Sequence, residues 1–287
     1  MHHRCMSDHT DGLDLSDSER LLADAALTID RRDAEILLAG CWRRTRSQLL
    51  AHTGEAVPAE VAACFADALR QRASGVPVAY LLGHREFWSL DFTVNAAVLV
   101  PRPETELLVQ RVLDRIEAPI AAVADLGTGS GAIAIALAHE RPHWRVLGTD
   151  ASDLALAVAR GNGERLVGGR VEWARGDWYS ALAGRRFDAL VSNPPYVAGD
   201  DPVLVEDGLR HEPRAALTPG GDGFAALATL INGAPGHLRP GGWLALEHGT
   251  TQGERLRSLL VARGFTHVTS HRDLAGHERV TEGNLAP

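Results

Sequence analysis

The sequence predicts an α/β protein: a doubly wound, mostly parallel sheet preceded by a small helical domain and a β-hairpin linker. Three observations carry that expectation. Beyond about residue 104, short apolar runs ending in Asp, Gly or Asn alternate with helix-patterned segments, as in β-α units that lay parallel strands side by side. The first such run, "AAVADLG", opens through glycines into the apolar helix pattern "AIAIALAHER". Before residue 85, by contrast, apolar residues recur only at helical spacing.

In order along the chain, "SDSERLLADAALTI" offers Ser16 and Ser18 as N-cap candidates ahead of apolar residues at helical intervals. "RRDAEILLAGCW" is a second amphipathic piece, and "PAEVAACFADALRQRASG" starts at Pro58 and stops at Gly75, the usual asymmetry of helix ends. These define a helical domain over residues 1–84. In "EFWSLDFTVNAAVLVPRPETE", Phe87, Leu90, Phe92, Val94 and the run to Val100 predict two short strands around a turn at Asn95, a hairpin linker over 85–103. The domain over 104–287 then reads as helix "ETELLVQRVLDRI", strand "AAVADLG", helix, strand "RVLGTD", helix "LALAVARGN" and strands "VEWARGD" and "FDALVSN". It closes with strand "GGWLALEHG", helix "GERLRSLLVARG" and the pair "HVTSHRD" and "ERVTEG".

Composition is that of a globular protein, 45% hydrophobic and 23% charged, so burying a core over 287 residues is not in doubt. The net charge of -8, with all 29 cationic residues arginine, argues against the basic field that drives non-specific nucleic-acid binding. No stable nucleic-acid partner is expected. Cys5, Cys41 and Cys64 are odd in number and form no C-x-x-C, which predicts neither a disulfide framework nor a zinc site, and a reducing, cytoplasmic setting. The first ten residues carry no apolar signal core, and no apolar run reaches the roughly 18 residues of a membrane span. The thirteen histidines are scattered along the chain and read as surface or satisfied core residues, so no metal is expected.

The glycine loop is the first candidate site. Asp125 ends a strand, and Gly127, Thr128, Gly129, Ser130 and Gly131 lead into a helix. Glycines there let the backbone turn tightly and a flat ligand lie against it. Gly127, Gly129 and Ala132 satisfy the dinucleotide pattern G-x-G-x-x-G/A, and Asp150 ends the next strand near ribose-binding distance. By itself the loop is compatible with a nicotinamide or flavin cofactor or with S-adenosylmethionine. Two details lean toward the latter: its sulfonium is positive, and it lacks the pyrophosphate that Asp125 would repel near a helix N-terminus.

The second candidate is "VSNPPYVAG". Pro194 and Pro195 lack N–H groups and fix φ, giving a rigid turn whose carbonyls point outward without competing donors. Asn193 Oδ1 and the Pro194 carbonyl can accept the two hydrogens of a planar –NH2 group, and Tyr196 can stack on its face. An amide or adenine nitrogen is a poor nucleophile because its lone pair is delocalised, so holding it in line with a methyl donor is the chemistry such a turn can supply. The same residues could also be a strand-ending turn with a packed Tyr.

"DLGTGSGAIA" together with "NPPY" resembles the class I S-adenosylmethionine-dependent amino-methyltransferases. "RRDAEILL", "GVPVAYLLGHREFWSL", "VPRPETELLV", "HEPRAAL" and "LEHG" are similar to segments of the PrmC/HemK family, over roughly Asp17 to Gly283. The resemblance implies a Rossmann-like methyltransferase sheet whose last strand is antiparallel, and methylation of the glutamine amide in the Gly-Gly-Gln motif of class-1 peptide chain release factors. It further implies cofactor contacts at Gly127 to Gly131, Asp150 and Trp178, with Asp125 beside them. Asn193, Pro194, Pro195 and Tyr196 would hold the glutamine, with Asn193 also near the methyl donor. The helical domain would recognise the protein substrate, and the enzyme would work as a monomer.

The alternative is an adenine N6-methyltransferase acting on DNA or RNA, since adenine offers the same flat –NH2. A further glutamine-bearing protein, a non-catalytic ligand-binding module and a nicotinamide dehydrogenase are weaker rivals. Glu104 or Glu106 of "PRPETE" could lie beside the cofactor or could simply enrich a helix N-terminus in acid. Glu247 and His248 end a strand on the active-site edge, where a pocket role is open.

Overall fold

The computed structural model describes residues 17–286, and the chain divides between Leu82 and Gly83 into two compact units. The first unit comprises α1 (Ser18–Ala25), α2 (Arg31–Cys41), α3 (Arg46–Ala51), α4 (Ala59–Ala73) and α5 (Val78–Leu82). Asp17, not a serine, caps α1 by accepting the Glu19 N–H; Ser18 lies inside the helix, and Ser16 lies outside the described residues. Asp30 caps α2, and Thr45 with Gln48 forms a capping box on α3. Leu22, Leu37, Leu38, Leu49 and Phe65 make the core of this unit.

Cys41 and Cys64 form a disulfide joining α2 to α4, with Cα atoms 5.9 Å apart. This corrects the expectation of no disulfide. The two residues are separated by 23 positions and follow no short motif; only the packing of the two helices brings them together. Cys5 lies outside the described residues.

The second unit comprises β1 (His84–Phe87), β2 (Leu90–Thr93), α6 (Glu106–Arg115), β3 (Ala122–Leu126), α7 (Ala132–Glu140), β4 (Arg145–Asp150), α8 (Asp153–Val167), β5 (Val171–Arg175) and β6 (Phe187–Ser192). It continues through α9 (Arg214–Leu217), α10 (Ala225–Gly233), β7 (Leu238–Glu247), α11 (Gly253–Ala262), β8 (Phe265–Arg272) and β9 (Glu278–Leu285). Strands β3 to β9 form one sheet in the order β5-β4-β3-β6-β7-β9-β8. The β3, β4, β5, β6 and β7 pairings are parallel, and β9 alone runs against its neighbours. Leu126, Leu190, Leu227, Leu230, Leu244 and Phe265 are in the core that this sheet shares with its helices. Among the described residues no helix is long and apolar enough to cross a membrane.

The hairpin turns earlier than the sequence suggests. β1 and β2 pair around Trp88 and Ser89, both at positive φ (54° and 57°), the backbone that two-residue hairpin turns require. Asn95 instead closes a local turn by accepting the Ala97 N–H at 2.9 Å, so the valines that follow have no partner strand. The hairpin is anchored to α8: Asn162 Oδ1 accepts the Thr93 N–H (2.9 Å), and Asn162 Nδ2 donates to the carbonyls of Thr93 and Ser130 (3.0 Å each). Arg165 donates to the Asp91 carbonyl at 2.6 Å. One buried amide thus ties the hairpin to the glycine loop.

Candidate active site

β3 and β6 are neighbours at the point where the strand order reverses, and ligands of doubly wound sheets bind beyond the carboxyl ends of the strands there. Asp125 pairs with Val191 in register. Two residues past that pair the chain enters Gly127 on one strand and Asn193 on the other. Ser192 Oγ donates to the Leu126 carbonyl at 2.5 Å, binding the two strand ends together.

A cleft of about 300 Å³ opens at these ends. Of the residues singled out from the sequence, Gly127, Thr128, Gly129, Ser130, Asp150, Trp178, Asn193 and Pro195 line it. Asp125, Gly131, Pro194 and Tyr196 do not. The facing wall is Val98, Leu99, Pro101 and Arg102 with Pro213, Ala215 and Ala216. Glu212 joins the two parts of that wall, accepting the Val100 N–H (2.9 Å) and Arg102 Nη2 (2.6 Å).

The loop after β3 depends on its glycines. Gly131 has φ +84°, and a Cβ there would lie 2.9 Å from both Ile135 and the Trp173 indole. The N–H groups of Gly127 and Thr128 donate to the Thr149 carbonyl (2.9 and 2.8 Å). Gly129 N–H donates to Asp150 Oδ2 (3.0 Å), while Asp150 Oδ1 accepts the Ser152 N–H (2.8 Å). Asp150 is therefore held at the cleft edge as an acceptor. A Cβ on Gly127 would sit 3.4 Å from the Trp178 ring, which places that ring over the loop.

Asp125 lies wholly buried beneath the loop. Its Oδ2 accepts Thr128 Oγ1 at 2.5 Å, and its Oδ1 has no hydrogen-bond partner. Burial pushes this carboxyl up to about 7, against the Thr128 hydrogen bond and with a contribution from Asp150. An acidic side chain buried under the loop and the Asp150 carboxylate at its edge disfavour a pyrophosphate there and leave Asp150 as an acceptor for ribose hydroxyls.

At the other strand end, Asn193 Nδ2 donates to Thr105 Oγ1 (3.0 Å), and Thr105 Oγ1 donates to Glu247 Oε2 (2.6 Å). Tyr196 OH donates to Glu247 Oε1 (3.1 Å), and Gln252 Nε2 donates to the Tyr196 carbonyl (3.0 Å). Burial pushes Glu247 up to about 7, while Thr105, Tyr196 and Arg279 pull the other way and Glu104 adds to the rise. Burial also raises the Tyr196 phenol.

Sequence reasoning left four residues open and passed over a fifth. Glu104 is exposed, and Glu106 accepts the Trp88 N–H at 2.8 Å; neither lines the cleft. His248, whose pKa burial lowers, donates Nδ1–H to the Gly249 carbonyl and meets Thr281 Oγ1 through Nε2 (2.8 Å each). Glu247 proves to be the hub of the asparagine–tyrosine network. Thr105 was missed: between two acids it reads as a helix cap, yet its side chain makes no cap bond and turns to Glu247.

A parallel sheet with one reversed strand, carrying a glycine loop and an N-P-P-Y turn on one cleft, defines a Rossmann-like S-adenosylmethionine-dependent methyltransferase. The Methyltransferase small domain model matches residues 103–225 and the PrmC N-terminal domain model residues 15–83. A release factor glutamine methyltransferase of Xylella fastidiosa is 50% identical over 264 residues, covering 92% of this chain and 96% of that one. Its counterpart in Pseudomonas aeruginosa is 48% identical, covering 89% and 93%. A methyltransferase structure from Pyrococcus furiosus shares the fold, with a TM-score of 0.53 at 18% identity, covering 77% of this chain and all of that one. The chain belongs to the release factor glutamine methyltransferase family.

Proposed function

We propose that this chain transfers a methyl group from S-adenosylmethionine to the side-chain amide nitrogen of the Gly-Gly-Gln glutamine in class-1 peptide chain release factors. The observation that carries the reading is that Asn193 and the glycine loop line one cleft; relatives named for this reaction match the chain nearly end to end. The bound cofactor supplies an electrophilic methyl group on a sulfonium. Gly127, Thr128, Gly129 and Ser130 form its floor, Gly131 keeps the turn tight, and Asp150 accepts from ribose hydroxyls. Trp178 packs on the adenine, and Asp125 adds negative potential below.

Asn193 Oδ1 and the Pro194 carbonyl accept the two hydrogens of the glutamine –NH2, which localises the nitrogen lone pair toward the methyl group. Pro195 and Tyr196 keep the turn rigid and flank the amide plane. No strong base is required before transfer: the nitrogen becomes acidic only as its new N–C bond replaces the S–CH3 bond, and it then gives its surplus proton to water while the sulfur leaves as a neutral thioether. The helical domain, over 1–84, recognises the release factor. The enzyme acts as a cytoplasmic monomer without metal, membrane or stable nucleic-acid partner.

Labelled S-adenosylmethionine tests the reading, with a purified release factor, its Gln→Ala variant and duplex DNA offered separately. Label is expected on the wild-type factor alone, and Asn193→Ala is expected to abolish it while cofactor binding persists. Label on the variant or the DNA, with none on the wild-type factor, overturns the assignment in favour of another substrate.

A further inference from the structure

We propose that Thr105 and Glu247 are positioning residues that fix which end of the Asn193 amide faces the substrate. The inference rests on the function proposed above and concerns how its central side chain is oriented. The two ends of an asparagine amide have nearly the same shape and opposite hydrogen-bonding character. Only Oδ1 can accept from a substrate –NH2; a flipped side chain would set donors against donors.

The network decides between the two orientations. Thr105 Oγ1 carries one proton, and with Glu247 ionised the carboxylate oxygen 2.6 Å away, Oε2, accepts but does not donate. That commits the threonine proton to Glu247 and leaves the threonine oxygen as an acceptor. Asn193 must then present Nδ2–H to it, as it does at 3.0 Å. Oδ1 is left toward the cleft, and among the described residues nothing donates to it. The other oxygen of the same carboxylate accepts the Tyr196 hydroxyl at 3.1 Å, so the first and last residues of N-P-P-Y are both fastened to the end of β7.

Thr105 lines the cleft beside Asn193. It stands at the helix entrance without capping it, and it is 4% exposed. A role limited to satisfying a buried carboxylate would predict the same contacts, so the test must read the orientation of Asn193 itself.

The test compares Thr105→Val, which keeps shape and loses the hydroxyl, with Thr105→Ser, which keeps the hydroxyl. The measurements are kcat and KM for the release factor, cofactor affinity by calorimetry, and the Asn193 side-chain amide signal by NMR, assigned by its loss in Asn193→Ala. Thr105→Val is expected to lower kcat about tenfold or more with cofactor affinity within about twofold, and Thr105→Ser to restore most of the rate. The Asn193 amide hydrogens should shift and lose exchange protection in the valine variant alone. A wild-type kcat or an unmoved amide signal in Thr105→Val overturns the proposal, as does a serine variant as impaired as the valine. Thr105→Ala, which also removes the hydroxyl, is held to the same expected and overturning results if the valine variant does not fold. Absence of label with the wild-type enzyme would overturn the substrate assignment itself and take this proposal with it.

Discussion

Replacing Glu247 by Gln should make the protein more stable at alkaline pH relative to the parent, and the gain can be worked from the site. Glu247 is 1% exposed, and burial raises its carboxyl from 4.5 to about 7. The unfolded chain therefore releases this proton near pH 4.5 and the folded protein only near 7. Over that window the unfolded state binds fewer protons than the native state, so stability falls as pH rises. At about 1.4 kcal/mol per pKa unit the full cost is roughly 3–4 kcal/mol once both states are ionised. Glutamine has nearly the same shape, keeps one acceptor for Thr105 and does not titrate. Urea unfolding of both proteins at pH 5 and pH 8 isolates the effect, because every other titrating group cancels in the difference. The stability difference should move by about 2–3 kcal/mol in favour of Glu247→Gln between those pH values. A difference that stays constant across the range would refute the claim that burial governs this carboxyl.

Two further outcomes follow from packing and charge. Gly148 faces the Trp173 indole so closely that an added Cβ would collide with the ring; Gly148→Ala should cost about 1–3 kcal/mol in thermal unfolding, partly recovered by Trp173→Phe in the double variant. Glu282 is 1% exposed; burial alone would raise its pKa, but His271, Arg115 and Arg111 hold it down to about 2. Its stabilising contribution is present above pH 4.5 and lost as pH falls toward 2. Glu282→Gln should therefore cost about 3 kcal/mol in urea at pH 7, and that cost should shrink steadily on acidification.

The parts of the site that the sequence exposed are those written in consecutive residues. The run from Asp125 to Gly131 must turn sharply between a strand and a helix, and only glycines supply the φ values that it needs. Asn193 to Tyr196 combine two prolines with an amide and a ring, a combination legible without a structure. Thr105, Asn193 and Glu247 could not be connected in this way, because their contacts join segments 88 and 142 residues apart. Spacing carries no signal over such distances. The turn at Trp88 and Ser89 was obscured because neither residue favours positive φ, whereas Asn95 does and sat close by. The disulfide escaped for the same reason as Thr105: helix packing creates the proximity.

The bridge formed by Asn162 bears on how the protein ages. Its amide hydrogens reach the Thr93 and Ser130 carbonyls, and the residue after it is Gly163, the follower that most readily permits an asparagine to close on the backbone and lose ammonia. The helix around this pair holds the backbone out of the conformation that the ring closure needs. An aspartate formed there would turn oxygens toward both carbonyls and release the hairpin and the glycine loop together. The integrity of the cleft then depends on α8 staying wound at a residue that does not line it.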